Sequence, residues 1–433
     1  MLALHRAVFF NDVQTLSRLI RETRDTSVQD MHGNTALHLA IMLGHKESIA
    51  LLLAHNAPAK LKNSQGWNCL SEAISYGDRQ IITSVLRKLK QQSKETITDR
   101  KPHLLKVLKD LGDFYLELKW EFDSWIPLLS LLLPSDTCKV YKKGTCLRLD
   151  SSLVDFNEQT WERGDISFIY DADAPNPLNA MVILDNKSKV YQRVRYQASE
   201  RDLEEEVDVL MSSDVVVASM STKPIQFEKA ITGFFMKHDR VESVGQYPAI
   251  FYNIEGMKLI TKKRREHLTT EDVKSNKALL QHFQLGNLTR DEVKNIHNRR
   301  SLPPPGRSSV TWEAYIGAEG GNPPCLGRQQ VLKVNEKPIK AMIAMSEDFP
   351  LDFEVLLDLL EIVAPFKHLD KLRRFCVCRL PAGFPVRIDF PILPAISAKV
   401  TFRKLEMPAA NIEEKMFRVP GTYREDSDRF PNL

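Results

Sequence analysis

No run in this 433-residue sequence approaches the ~20 consecutive apolar residues that a membrane-spanning helix needs. The nearest, Trp125 to Leu133, is short and contains Pro127 and Ser130, so any membrane association has to be peripheral or through a partner. The first residues, Met1-Leu2-Ala3-Leu4-His5-Arg6, lack the charged segment and apolar stretch of a secretory leader. Cysteine is scarce. Six residues, scattered except for Cys376 and Cys378, make no disulfide framework and predict a reducing compartment. Charge of one sign is not in excess either. Sixty Lys and Arg against 56 Asp and Glu leave a formal +4, too small a bias for a dedicated nucleic-acid binder of this length. Short motifs of phosphate and acyl chemistry do not occur. Gly317-Ala318-Glu319-Gly320-Gly321 lacks the Gly-Lys-Ser/Thr that completes a P-loop, and there is no Gly-x-Ser-x-Gly.

What is present is an ordinary globular composition, 43% hydrophobic and 27% charged, in a chain long enough for two or three domains. Its most specific feature is a period of 33. Leu4-His5-Arg6-Ala7 aligns with Leu37-His38-Leu39-Ala40 and then with Leu70-Ser71-Glu72-Ala73. Further columns agree: Asn11, Gly44 and Gly77; Leu16, Ile49 and Ile82; Leu19, Leu52 and Val85; and Gly33 with Gly66. This period, with Gly33-Asn34-Thr35-Ala36-Leu37-His38, resembles the ankyrin repeat.

The columns have physical reasons. Thr35 and Asn68 precede the first helix of a repeat, where a side-chain oxygen caps free N–H groups. Ala40 and Ala73 are small where two helices pack closely, and Gly44 and Gly77 fall between helices, where positive φ is cheap for glycine. The Leu and Ile columns, Leu37 among them, face neighbouring repeats, since one repeat cannot bury its apolar face alone. His38 reads as a structural hydrogen-bonding residue of the motif. The first repeat lacks its leading hairpin, which would lie before Met1 in a longer form. The hairpin tips, Met31 and His32 with Ser64 and Gln65, edge a concave surface on which a partner polypeptide is expected to sit. Trp67, beside Gly66, is expected either to join that surface or to contact the following domain.

Residues 1–100 are thus three repeats, the first incomplete. From Lys101-Pro102, the spacing of Leu104, Leu108, Leu111, Tyr115, Leu118 and Phe122 predicts a capping or bridging helix within 101–135. Beyond it the period changes to two. Hairpins are predicted around Lys142-Lys143-Gly144-Thr145 and Asp185-Asn186-Lys187-Ser188, with strands at Ile166–Tyr170, Val331–Val334, Ile339–Met345, Phe375–Leu380, Val386–Phe390 and Lys399–Phe402. Asp352–Val363 reads as a helix with Phe353, Leu356, Leu357 and Leu360 on one face. The fold class is therefore α+β: an all-α repeat stack followed by a mixed α+β domain over 136–410, with a mostly antiparallel sheet, and a tail over 411–433. The acidic run Asp202–Asp208 and the basic run Lys262-Lys263-Arg264-Arg265 read as solvated, and 262–310 as a mobile insertion or a helical linker across the domain surface.

No catalytic constellation emerges. Cys376 and Cys378 with upstream His368 have no second Cys/His pair to complete a zinc site, and strand alternation places both thiols on one sheet face as core residues. Asp171-Ala172-Asp173 followed by Pro175 reads as a turn rather than a carboxylate pair. Neither cofactor, metal nor small-molecule substrate is expected.

Over nearly its whole length the chain resembles the ankyrin-repeat-domain-13 proteins, whose second region is called the GPCR-chaperone domain. The resemblance is carried by Leu4-His5-Arg6-Ala7-Val8-Phe9, Gly33 to Ala40, Gly66-Trp67-Asn68-Cys69-Leu70-Ser71-Glu72-Ala73-Ile74, Phe384-Pro385-Val386-Arg387-Ile388-Asp389, and Lys399-Val400-Thr401-Phe402. Several members end in ubiquitin-interacting motifs, and Phe417 to Leu433 contains none. That departure points to the C-type branch. The resemblance implies a non-enzymatic, chaperone-like protein at the cytosolic face of the endoplasmic reticulum membrane, peripheral there and otherwise cytoplasmic. It would bind cytosolic segments of G-protein-coupled receptors and regulate their biogenesis and exit. The alternative is a trafficking adaptor for ubiquitinated membrane cargo.

Overall fold

The computed structural model describes the chain outside residues 1, 24, 125–132, 158–159, 176–179, 195–199, 222–224, 234–236, 285–299, 307, 321–322, 356, 358–379, 394–395, 410–411, 428 and 431–433. It divides into two compact units. One holds Met1–Thr98, Tyr196–Ser219 and Ile260–Asn335; the other holds Asp99–Arg195, Met220–Leu259 and Glu336–Leu433.

The first unit begins with helix pairs at the predicted period: α1 (Ala3–Phe9) with α2 (Val13–Thr23), α3 (Ala36–Leu43) with α4 (Lys46–Ala54), and α5 (Cys69–Tyr76) with the start of α6 (Arg79–Asp110). The Thr35 hydroxyl accepts the His38 N–H while His38 Nδ1 accepts the Thr35 N–H, a reciprocal cap on α3. Asn68 Oδ1 caps α5 by accepting the Ser71 N–H at 2.9 Å. Gly44 and Gly77 close these helices in the left-handed region, with φ of 71° and 83°. Gly33 answers a close approach: a Cβ there would lie 2.6 Å from the Ser64 nitrogen of the next hairpin. Leu16, Leu37, Leu52, Ile82 and Val85 fill the core between repeats.

Segments distant in sequence complete this unit. Helix α7 (Glu200–Ser212) adds Leu203, Val207 and Met211, spaced four apart, to the same core. Helices α8 (Thr270–Gln284) and α9 (Trp312–Ile316) follow. The acidic run does not lie wholly in solvent. Asp208 is buried and ion-paired with Arg79, and Glu206 pairs with Lys90 at 2.6 Å.

The strands lie mostly in the other unit, although 215–219, 260–264 and 332–335 belong to the first. In chain order they are β1 (Phe114–Ser124), β2 (Ser135–Lys143), β3 (Cys146–Asn157), β4 (Thr160–Asp171), β5 (Met181–Asp185), β6 (Val190–Arg193), β7 (Val215–Ser221) and β8 (Gln226–Lys229). Then come β9 (Ile231–Thr232), β10 (His238–Asp239), β11 (Val241–Val244), β12 (Tyr247–Arg264), β13 (Leu332–Ser346), β14 (Phe384–Leu393), β15 (Ile396–Glu406) and β16 (Arg424–Glu425). The main sheet runs β11-β12-β13-β14-β15-β1-β2-β3-β4-β5-β6-β16, with β7 and β8 also pairing β12. β11–β12, β8–β12 and each neighbouring pair from β13 through β14, β15, β1 and on to β6 run antiparallel, while β16 runs parallel to β6. The α+β class with a mostly antiparallel sheet is therefore as the sequence predicts, including the hairpins at Gly144 and at Asp185–Ser188. Phe349, Phe384, Val386, Phe402 and Leu405 anchor its largest core.

The helix expected within 101–135 needs correction. The predicted helix through Tyr115, Leu118 and Phe122 is strand β1. Phe114 and Leu116 are fully buried while Tyr115 and Glu117 point to the other face, so the apparent helical spacing mixed residues from two sides of a strand. Within the C-terminal tail, β16 pairs with β6 and Phe430 packs with Ile166 and Ile183. Phe353 and Leu357 of the predicted Asp352–Val363 helix are buried. Residues 358–379, with His368, Cys376 and Cys378, and residues 125–132 of the longest apolar run lie outside the described residues.

Candidate functional site: the self-covered face of the repeat stack

In the repeat stack each hairpin is set by short-range hydrogen bonds. Gly33 N–H donates to the Asp30 carbonyl, Gly66 N–H to the Asn63 carbonyl, and the Ser64 N–H crosses to the His32 carbonyl at 3.0 Å. Gln29 and Asn63 side chains extend the link, donating to the Lys62 carbonyl and to Asn34 Oδ1. Hairpin tips and first helices thereby form one continuous face. The described segments 262–266, 301–302, 312–315 and 327–328 of the same unit lie against it.

At the second repeat, α9 presents Trp312 and Tyr315 to this face. Thr311 caps α9 by accepting the Ala314 N–H at 3.2 Å. The Tyr315 hydroxyl donates to Asp30 Oδ2 at 2.6 Å and accepts from Asn34 Nδ2 at 2.9 Å. His32 Nε2 meets the Tyr315 carbonyl at 3.0 Å, and its ring stands edge-on to the tyrosine at 5.0 Å. Phe9 packs against Trp312 at 5.3 Å. Burial pushes the Tyr315 phenol upward, reinforced by the Asp30 carboxylate, so the hydroxyl stays a donor.

At the third repeat the contacts are ionic. Arg264 is 1% exposed and reaches Glu72 at 2.9 Å, Glu266 at 2.6 Å and the Ser75 hydroxyl at 2.8 Å, with its guanidinium 5.0 Å from the centre of the Trp67 ring. Ser75 in turn donates to Glu266 at 2.5 Å. Burial works against the Arg264 charge, but the two carboxylates outweigh it and hold the pKa above its ordinary value. For Glu266 burial again opposes ionisation, and Arg264 with the Ser75 hydroxyl holds the carboxyl below the usual range. Beside this cluster is a cavity of about 170 Å³ lined by Met42, Gln65, Tyr76, Cys325 and Arg328. That is smaller than the ~300 Å³ at which drug-sized ligand sites begin.

The remaining seams are backbone contacts. The Leu302 N–H donates to the Gly77 carbonyl at 2.9 Å, Arg328 Nε donates to the Tyr76 carbonyl at 3.1 Å, and Gly327 lies where a Cβ would come within 3.0 Å of the Met42 carbonyl. Ser301 and Leu302 therefore lie against the third repeat, while residues 285–299 and 307 of the expected insertion or linker lie outside the described residues.

These contacts decide where each predicted site residue sits. His32 and Trp67 are fully buried against the chain's own side chains, so neither faces a partner in this conformation, and Trp67 packs against Arg264 from later in the chain. Gln65 is half-buried with its carbonyl accepting from Lys262 at 2.8 Å. Met31 stays 51% exposed and Ser64 is exposed. The basic run is corrected: Arg264 is the charged centre of a buried cluster. Among the motif residues, His38 is fully buried, with Nε2 3.3 Å from the Trp67 carbonyl. Burial lowers its pKa to about 4, so it is neutral at pH 7. His5, also lowered by burial, meets the Asn34 carbonyl at 3.0 Å one repeat earlier. Leu37, Ala40 and Ala73 are fully buried.

Sequence reading missed Trp312, Tyr315, Glu72, Ser75 and Glu266. The available signals were a Thr311 cap before an i, i+3 aromatic pair and a glutamate and serine three residues apart on α5. Both are too short to stand out. Among the described residues, no helix is long and apolar enough to cross a membrane.

Comparison with known proteins agrees with both halves of this description. Residues 4–96 match the family model "Ankyrin repeats (3 copies)", and residues 148–429 match "ANKRD13 C-terminal". The chain is 53% identical over 430 residues to a zebrafish (Danio rerio) protein named Ankyrin repeat domain-containing protein 13C, covering 99% of this chain and 87% of the relative. It is 52% identical over 430 residues to the Homo sapiens protein of that name, covering 99% and 79%. The Homo sapiens Ankyrin repeat domain-containing protein 13B is 34% identical over 423 residues, covering 93% and 67%. Two family models in tandem and a full-length likeness to the C-type relatives lead to one conclusion: the chain belongs to the ankyrin-repeat-domain-13 family, on its C-type branch.

Proposed function

We propose that this chain is a non-enzymatic, chaperone-like protein that binds cytosolic segments of G-protein-coupled receptors at the endoplasmic reticulum membrane and regulates their biogenesis and exit. The observation that carries the reading is the C-type likeness across 99% of the chain, through repeats and C-terminal region alike. Ankyrin repeats are protein-interaction modules, and binding an immature receptor favours that state by mass action without any covalent step. The polar clusters described above are consistent with this. The Arg264 pair is closed to solvent, and burial pushes the Cys69 thiol upward, away from the reactive thiolate.

The test is direct association between the purified full chain and synthetic receptor carboxyl tails and third cytosolic loops, without nucleotide, read by fluorescence anisotropy. Saturable binding by tails or loops is expected; no binding by any of them overturns the reading. Its placement is tested separately by membrane fractionation. The protein should sediment with endoplasmic reticulum membranes and leave them on carbonate or salt washing. Recovery only in the unwashed soluble fraction would contradict peripheral attachment.

A further inference from the structure

We propose that the face of the second repeat is a peptide-binding groove already filled by the chain's own α9, and that partner polypeptides displace α9 with a helical turn carrying Trp and Tyr three residues apart. The inference goes beyond receptor binding and rests only on the reading that the chain works by holding polypeptides.

The contacts of α9 are those of a recognised ligand more than those of a core helix. Five residues make a single turn, too short to be stable alone, so its position is set by what it docks against. Nearly all of its buried surface belongs to Trp312 and Tyr315, at 7% and 1% exposure, whereas Glu313 and Ala314 are exposed. Aromatic anchors at i and i+3 in a fitted recess are the usual hot-spot chemistry of helix-in-groove binding. The recess also reads a specific atom. Asp30 and Asn34 together accept from and donate to the Tyr315 hydroxyl, while His32 meets the backbone carbonyl of the same residue. The fully buried Asn34 and the half-buried Asp30 aimed at one hydroxyl discriminate against Phe, which would leave the Asn34 amide without that acceptor and the Asp30 carboxylate without that donor. Asp30 has a second role that keeps it in place: its Oδ1 accepts the His32 and Asn34 N–H groups of the hairpin at 2.9 Å. The groove is thus preorganised by the repeat itself.

Tethering explains why such a site is normally closed. A ligand on the same chain acts at an effective concentration on the order of millimolar, so a free peptide with the same contacts competes poorly until α9 is weakened. A partner succeeds when it adds contacts elsewhere, and the exposed Met31 at the tip of the same hairpin is a place to add them.

The experiment uses the full-length chain and a fluorescein-labelled peptide of residues 308–320, read by anisotropy. Binding should be weak to wild type, stronger to Tyr315→Phe, and at least ten-fold stronger to the Trp312→Ala/Tyr315→Ala double variant. A peptide with Phe in place of Tyr should bind the double variant about ten-fold more weakly, and one with both aromatics replaced by Ala should not bind. Tyr315→Phe leaves the packing intact, so it reports even if the double variant unfolds by circular dichroism. Equal affinity for wild type and Tyr315→Phe, or indifference to the peptide's aromatics, overturns the proposal. So does dimerisation of Tyr315→Phe by light scattering, which would make a second copy the occupant. Because the probe is the chain's own segment, this result is separable from failure of receptor segments to bind.

Discussion

Replacing Arg264 by Met should be one of the most damaging single substitutions in the repeat-containing unit, and its cost should depend on pH. Arg264 lies between Glu72 and Glu266, at 2.9 and 2.6 Å, and the three side chains are 2–4% exposed. Met fills similar volume, so little packing is lost, but two carboxylates remain in a buried site without their counter-charge. Removing one partner of such a pair costs about 3–5 kcal/mol. In a unit of this size, about 2–4 °C per kcal/mol converts that to a fall in Tm of about 6–20 °C. The pH dependence follows from Glu266, whose pKa the arginine holds below its ordinary value. In wild type its contribution is complete above the unfolded pKa and is lost as pH falls through the lower, folded one. In the variant, burial without the arginine raises the Glu266 carboxyl pKa, and its protonation relieves the repulsion. Thermal melts at pH 7.5 and 5 should therefore show a large gap between variant and wild type that narrows at pH 5. A triple change, Arg264→Met with Glu72→Leu and Glu266→Met, should recover most of the loss. A fall below about 1 kcal/mol at pH 7.5, or a gap of equal size at both pH values, would refute the reasoning.

Three further outcomes are expected. His38→Gln should flatten the acid side of the stability profile: with a folded pKa of about 4 against an ordinary 6.5, the unfolded chain takes up the proton first, so wild type loses up to about 3 kcal/mol as pH falls from 6.5 to 4. Urea titrations of both proteins at pH 7 and 4.5 check it, and parallel profiles would refute it. Gly33→Ala should cost at least about 2 kcal/mol, combining positive φ with a Cβ placed 2.6 Å from the Ser64 nitrogen, whereas a loss under 0.5 kcal/mol in the same assay would mean that the hairpins are not in contact. Phe384→Ala should cost about 3–5 kcal/mol in the strand-rich unit, since its ring is 2% exposed, stacks on Phe349 at 3.9 Å and meets Phe402 edge-on at 5.0 Å. Differential scanning calorimetry should show that transition moving, and an unchanged profile would contradict the assigned core.

How far the sequence disclosed this arrangement depended on the range of the interactions. Caps and turns are local, so Thr35, Asn68, Gly44 and Gly77 were legible, and the 33-residue period made Leu37 and Ala40 core positions. Hairpins of the sheet were legible where a turn residue such as Gly144 sits between alternating strands. β1 was not, because its apolar residues on both faces imitate a helical stripe when read at intervals of three and four. The cover on the repeats was invisible for a different reason. Arg264 is 192 positions from Glu72, and Tyr315 is 285 from Asp30. In sequence each looks like an ordinary surface residue, and the run Lys262-Lys263-Arg264-Arg265 looks like solvated charge. Only strand alternation in β12 turns Arg264 inward while Lys263 and Arg265 keep partial exposure.

Coverage of the repeat face by the chain's own residues in solution is the central claim. The most direct measurement is a double-mutant cycle between Asp30→Asn and Tyr315→Phe, read by urea denaturation. A hydrogen bond to a charged acceptor predicts a coupling energy of about 1.5–3 kcal/mol. Additivity of the two single substitutions within about 0.3 kcal/mol would contradict it, leaving hairpin and α9 without the contact on which the reading stands.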